Sequence, residues 1–318
     1  MTMKFLRGAR IAAATAACAA LAACGLTEVT TDPGEDVVVV EAVLRTDFDQ
    51  QQVLVHRSLQ GTTVSPVGGA TVVITGQDGV RHTLAESSGC YAINPAYLRA
   101  DSLDFNGTCY ESSAVEGDWV RPGATYDLSV RTVDGKEIRG RTTVPGDFAV
   151  PSLPPFPASG AAAICTITPN TVFTLLWKHS EGAASYISDI RIHGLGTALG
   201  SKPYSVPDPV ELRGLAISVT DTTIVFPTEF GVFERLAYDT QLLTDIANGF
   251  PDNVDVELVL AAADRNWVNS VRGGNFNPSG LIRISTVQGD GVGVFGSLVP
   301  KRAQIIVRTR AFLPTCGH

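Results

Sequence analysis

Five histidines, six cysteines and a scatter of carboxylates are the groups in this 318-residue chain that could do chemistry. Their spacing narrows what that chemistry could be. His56, His82, His179, His193 and His318 stand apart. None belongs to His-Glu-x-x-His, the helical spacing that holds zinc beside a general base, and none adjoins a motif-embedded Ser or Cys. Each reads as a strand or surface histidine. Gly-x-Ser-x-Gly, a P-loop and a strand-turn-helix Gly-x-Gly-x-x-Gly are absent from the sequence. Gly289-Asp290-Gly291-Val292-Gly293 has neither a helical pattern nor an adjoining Lys after it, so it reads as a tight β-turn where backbones approach closely. Asp47/Asp49 and Asp252/Asp255 could offer oxygens to calcium, but neither run completes alternating ligands ending in Glu, and solvated strand ends are the expectation. No catalytic residue, metal site or cofactor is expected. Trp119, Trp177 and Trp267 could stack on sugar rings. Trp177 reads as core. Trp119, inside Gly117-Asp118-Trp119-Val120-Arg121-Pro122-Gly123, is the most loop-like and is the candidate ligand-binding residue.

The cysteines have a different logic. Lys4, Arg7 and Arg10 form a positive n-region, and Ile11 to Ala23 is an Ala-rich apolar stretch too short to span a bilayer. It ends in Leu21-Ala22-Ala23-Cys24, which resembles the lipobox of bacterial lipoproteins, and that resemblance implies cleavage before Cys24 and acylation of it. Several acyl chains on one residue anchor stably, because each buried methylene contributes about 0.8 kcal/mol. Gly25 in place of Asp after that Cys resembles lipoproteins exported to the outer membrane. Cys18 leaves with the signal, so Cys90, Cys109, Cys165 and Cys316 remain. Four cysteines in an exported chain suggest two disulfides among three possible connectivities. Cys90–Cys109 and Cys165–Cys316 are favoured, because each pair then lies within one domain.

Composition sets the frame for these groups. Hydrophobic residues make up 44% and charged residues 18%, which argues for a packed globular chain. Removing residues 1–23, which carry three positive charges and no negative one, takes the net charge from −8 to −11. Phosphate neutralisation needs clustered Lys and Arg, so nucleic acid is excluded as a partner class.

Short runs with period two dominate the rest and place the candidate residues on strands and turns. Val37–Leu44, Gln52–His56, Ala70–Thr75, Tyr126–Val130 and Ile138–Val144 read as an antiparallel meander, with a type I′ turn at Asp134-Gly135. Asn94-Pro95 opens a short helix through Leu98 to Leu103. A Pro-rich stretch at 150–160 reads as a linker. Beyond it, Thr171–Trp177, Ser185–Ile192, Val254–Ala262 and Gln304–Phe312 read as strands. Leu236–Ala247 has helical spacing, and Asp264 can cap a helix carrying Trp267, Val268 and Val271. The expected organisation is a signal peptide at 1–23, a lipidated tether at 24–36, an N-terminal β-sandwich at 37–149 and a C-terminal one at 161–318. The second contains a small mixed α/β insertion at about 201–250. The fold class is all-β.

Several of these segments carry a family resemblance. Val38-Val39-Val40-Glu41-Ala42, Val67 to Ile74 leading to Asp78-Gly79, Pro122 to Leu128, Thr142-Thr143-Val144-Pro145 and Gly291-Val292-Gly293-Val294-Phe295-Gly296 together resemble an uncharacterised family of bacterial outer-membrane lipoproteins, a domain of unknown function. Gly69 to Ile74 and Tyr126 to Val130 resemble the core strands of transthyretin-like sandwiches. Trp177 with Ser185-Tyr186 resembles the buried pair of immunoglobulin-like ones. The resemblance implies a role accessory to a TonB-dependent outer-membrane receptor and carries over no catalytic residue.

The resulting expectation is a non-catalytic, lipid-anchored cell-envelope protein that binds a protein partner or ligand at the outer membrane. The alternatives are a glycan-acting hydrolase using paired carboxylates and a structural spacer.

Overall fold

The computed structural model describes residues 36–58, 65–88, 107–157, 161–216, 220–226, 239–272, 285–308 and 312–317. Strands account for 47% and helices for 9%, so the all-β expectation holds. In β1 (Val38–Arg45) the alternation explains the strand: Val38, Val40, Ala42 and Leu44 share one face and are fully buried. β2 (Gln52–Arg57), β3 (Thr71–Gly76), β4 (Arg81–Ser87), β5 (Thr108–Glu111), β6 (Thr125–Arg131) and β7 (Glu137–Thr143) follow. They pair antiparallel in the order β1-β2-β5-β4-β3-β6-β7. Tyr126, Leu128 and Val130 of β6 face inward against Val72 and Ile74 of β3.

The β6–β7 turn differs from the expected I′ form. That turn needs positive φ at both central residues, but φ is positive at Gly135 (86°) and not at Asp134. Gly135 N–H donates to Thr132 O, and Thr132 N–H donates to Lys136 O. This is a type I turn closed by a glycine bulge.

The second half contains β8 (Ala163–Ile167), β9 (Phe173–Leu176), β10 (Ser185–His193), α1 (Leu195–Leu199), β11 (Val210–Leu215), β12 (Thr223–Phe226), α2 (Asp239–Asp245), β13 (Val254–Ala263), α3 (Arg265–Arg272), β14 (Val287–Gly289) and β15 (Gly291–Val307). Trp177 and Tyr186 are both buried, with ring centroids 5.5 Å apart at 61°. Asp264 caps α3 as its position suggests: Oδ1 accepts from Trp267 N–H at 2.8 Å, and Oδ2 accepts from Thr142 Oγ1 at 2.6 Å. Trp267 and Val268 then pack on Val43, Ile187, Val259 and Leu298, so the centre of the main sheet is buried on both faces. Within the 201–250 segment, β11 extends the main sheet beside β10 and β12 pairs with β9. The expected helix at Asn94–Leu103 lies outside the described residues.

β15 joins the two halves. Residues 291–298 pair parallel with β1, residues 298–307 pair antiparallel with β13, and residues 303–307 also pair with β8. Pro300, which has no N–H to donate, falls between the last residue paired to β1 and the first paired to β8, where one edge of the strand has no strand partner among the described residues. β14 pairs with β7, and Thr286 N–H donates to Gly293 O at 2.9 Å, so the path from β15 through β1 to β14 returns to β15. The residues from Asp36 onward therefore cluster as one unit with a shared strand, where the sequence suggested two sandwiches in succession. In its described part the Pro-rich segment is packed against the fold. Val150, Ser152 and Leu153 are buried, and Ser152 Oγ accepts from Leu176 N–H at 2.8 Å.

Candidate functional site

Cys24 and Cys90 lie outside the described residues. Cys165 and Cys316, 151 positions apart in sequence, form a disulfide with Cα atoms 5.3 Å apart, which fixes β8 to the chain's last described segment. Cys109 on β5 is disulfide-bonded too.

Trp119 stands in the loop from Ser112 to Ala124, between β5 and β6. Ser113 opens the loop by capping a 3-10 turn, Ala114–Glu116. Tyr126 closes it: its hydroxyl donates to Trp119 O and accepts from Arg121 N–H, each at 2.9 Å. The alternation of β4 turns His82 to the same side as Leu84, and the imidazole lies flat on the Trp119 indole, centroids 3.9 Å apart and planes 9° from parallel. Tyr126 meets the same indole edge-on at 5.6 Å. Glu116 Oε2 lies 2.6 Å from His82 Nδ1 and fixes the imidazole from the other side of the loop.

These groups line a cleft of about 530 Å³, together with Asp78, Asp118 and Arg121. That volume is within the range of small-molecule sites. Val80 lines it and is half exposed, and Val115, next to Glu116, is 95% exposed. One face of Trp119 is covered by His82, so a sugar ring could stack only on the other. The indole Nε1 is buried and has no acceptor among the described residues. The lining is acidic, with Asp78, Glu116 and Asp118 against Arg121. Burial, and then the neighbouring Asp49 carboxylate, push the Asp118 carboxyl above the ordinary range.

Asp47 is held by Arg45 at 3.0 Å and Arg302 at 2.7 Å and is not available to a cation. Among the described residues no group of three His, Cys, Asp or Glu side chains is placed to hold a metal. The glycines at 289–293 do form a close backbone approach. A Cβ at Gly293, where φ is +141°, would stand 1.9 Å from Val40 O. His82 and Glu116 were not singled out from sequence as binding residues. The available signal was a histidine at an inward position of an alternating strand.

No family profile matches the chain, and no curated protein matches it. Among solved structures it is similar to a DUF4785 family protein of Legionella pneumophila, at 13% identity and a TM-score of 0.21. The match covers 70% of this chain and 51% of that one, so it spans about half that protein's length. A superposition this loose carries no argument.

Proposed function

We propose that the protein is a non-catalytic, lipid-anchored component of the cell envelope that binds a protein partner or ligand at the outer membrane. In this reading it is accessory to a TonB-dependent receptor and built of two sandwich-like halves that share β15. The observation that carries the binding role is the cleft, whose aromatic wall of His82 and Trp119 is held rigid by Glu116 and Tyr126. A preorganised aromatic surface beside charged groups binds with little loss of side-chain freedom. The anchor rests on the lipobox-like Leu21 to Cys24.

The test is a photo-crosslinking residue at Val115, which is exposed and adjoins Glu116 of the cleft lining, in cells producing the whole chain. A crosslinked species that disappears in a Trp119→Ala background supports the reading. A crosslink unaffected by that substitution overturns the cleft as the binding site. Fractionation of Cys24→Ala checks the anchor separately: retention in outer membranes would remove lipidation from the account.

One observation favours the hydrolase alternative, the raised Asp118 carboxyl in a cleft that also holds Glu116 and Asp78. Release of reducing sugar from envelope glycans, abolished by Asp118→Asn, would replace the binding reading with this one.

A further inference from the structure

Three separate turns bring carboxylates to the cleft. Asp78 sits in the β3–β4 turn, where its Oδ1 accepts from Val80 N–H at 3.0 Å. Asp118 follows the 3-10 turn in the loop that carries Trp119. Asp49 comes from the β1–β2 turn, which is tied to the start of that loop: Gln51 N–H donates to Ser112 Oγ at 2.8 Å, and Gln50 Nε2 donates to Ser112 O at 3.2 Å. Asp49 and Asp118 come close enough to share a hydrogen bond, which two carboxylates do only with a proton between them.

The chain's own cations do not balance them. Arg45 and Arg302 are both taken up by Asp47, and His82 is held by Glu116. Arg121 lines the cleft as well, but its pull on the Asp118 carboxyl is outweighed by burial and by Asp49. Elsewhere in this half Asp36, Asp127, Asp134 and Glu137 each meet an arginine. The cleft thus carries an excess of negative charge beside the rings of Trp119 and Tyr126, and the faces of such rings favour a cation too.

We infer that the cleft takes an organic cation, the guanidinium or ammonium of a basic side chain on a protein partner, with Asp49, Asp78 and Asp118 as its counter-charges. This deepens the binding reading above and rests on it. The cation takes the place of the proton that Asp49 and Asp118 share, which passes to water, and it relieves the repulsion between them. A neutral sugar leaves that repulsion in place, and an anion adds to it. A metal ion needs several ligands converging on one point, and among the described residues no group of three His, Cys, Asp or Glu side chains is placed to supply them. A guanidinium or ammonium has three or more N–H groups and can bond carboxylates that stand apart. Its methylene stem finds apolar surface on Val80 and Pro122 of the same cleft, whose volume of about 530 Å³ accommodates a long side chain.

The test follows tryptophan emission of the whole chain, in which Trp177 and Trp267 are buried and Trp119 lines the cleft. Three acetylated and amidated tripeptides are titrated, Gly-Arg-Gly, Gly-Lys-Gly and Gly-citrulline-Gly, the last keeping the arginine shape without its charge. A basic peptide should give a saturable change at an affinity at least about tenfold above that of the citrulline peptide, the factor one charge-assisted hydrogen bond supplies. In the Asp78→Asn/Asp118→Asn double variant, whose amides keep an oxygen for the Val80 N–H, the basic peptides should fall to the citrulline level. Equal affinity for basic and citrulline peptides, an affinity unchanged in the double variant, or no saturable response to either basic peptide overturns the cation. The Val115 crosslink tells that failure from failure of the cleft itself. A Trp119-dependent crosslink that survives Asp78→Asn/Asp118→Asn overturns the cation and leaves the cleft a binding site, whereas one indifferent to Trp119→Ala overturns both.

Discussion

The carboxylate of Asp47 meets the guanidinium of Arg302 at 2.7 and 2.8 Å, across 255 residues of sequence. Arg45, buried on β1, bonds the same carboxylate through Nε and a terminal nitrogen, each at 3.0 Å. The ion triad thus ties the end of β1 to β15. Burial pushes the Asp47 carboxyl up, but the charges of Arg45 and Arg302 outweigh it and hold the group below its ordinary range. Removing the carboxylate takes the nearest opposite charge from the buried Arg45 guanidinium and leaves it the weaker influence of Asp189, so Asp47→Asn should cost about 3 kcal/mol. Arg302→Met, which leaves the Arg45 pair intact, should cost about 1–2 kcal/mol. Because the folded carboxyl is depressed, its contribution is complete above the unfolded value near 3.8 and is lost as pH falls through the folded value. Urea titrations of both variants from pH 7 down to acid check the order and the pH limb.

Asp264 has the opposite sign. Burial raises its carboxyl above the ordinary range, although hydrogen bonds from Thr142 and backbone N–H groups pull the other way. Between the unfolded value and the raised folded value, the native state holds a proton that the unfolded chain has released. This group's contribution therefore favours folding at acid pH and falls as pH rises through that window. Asp264→Asn keeps an oxygen for the Trp267 N–H and should flatten that decline, with a change of at most about 1 kcal/mol at neutral pH. Asp264→Ala loses the cap and the Thr142 partner together and should cost about 2–4 kcal/mol. Denaturant midpoints across pH 3–8 distinguish the two; a parallel pH dependence in wild type and Asp264→Asn would remove Asp264 as the source.

Gly293 and Gly79 separate steric need from conformational need. An alanine at Gly293 would drive its Cβ into Val40 O at a positive φ, and the β1–β15 pairing cannot widen without opening the sheet. Gly293→Ala should cost more than about 4 kcal/mol and abolish soluble folded protein. Gly79 has φ +81° but open space around its Cβ position, so Gly79→Ala should cost only about 1–2 kcal/mol. Soluble yield and thermal midpoints of the pair measure the difference.

The Cys165–Cys316 bridge closes a loop of 151 residues. In the chain-entropy view that constraint is worth about 5 kcal/mol against the unfolded state. The Cys165→Ala/Cys316→Ala double variant should lose stability of that order, read as a lowered denaturant midpoint. A loss below about 1 kcal/mol would show that other contacts already hold β8 in place.

Much of the strand inventory is written locally. In β6 and the first half of β13 the apolar residues recur at the period that one buried face demands, β1, β3 and β10 stand out as short β-branched runs buried on both faces, and Asp264 before Trp267 announces a cap. What is not local is the choice of neighbour. Nothing near Val38–Arg45 says that its second edge is taken by residues 291–298, because a free strand edge is chemically the same for any partner. The same distance hid the Asp47 triad: Asp47 beside Asp49 reads as a solvated acidic pair until Arg302 is brought to it. Trp119 was legible through the loop residues around it. Its cleft was not, because His82 comes from β4 and Glu116 from the far side of the loop.

The shared strand also sets an order of events. The N-terminal half cannot complete its sheet until residues 291–298, near the end of the chain, are available to lie along β1. A chain emerging N-terminus first carries the β1 edge open until residues 291–298 follow it. Such an edge invites pairing with other chains. A product truncated before β15 is then not a smaller working protein but a sticky one, and quality control of this fold rests on its final strand.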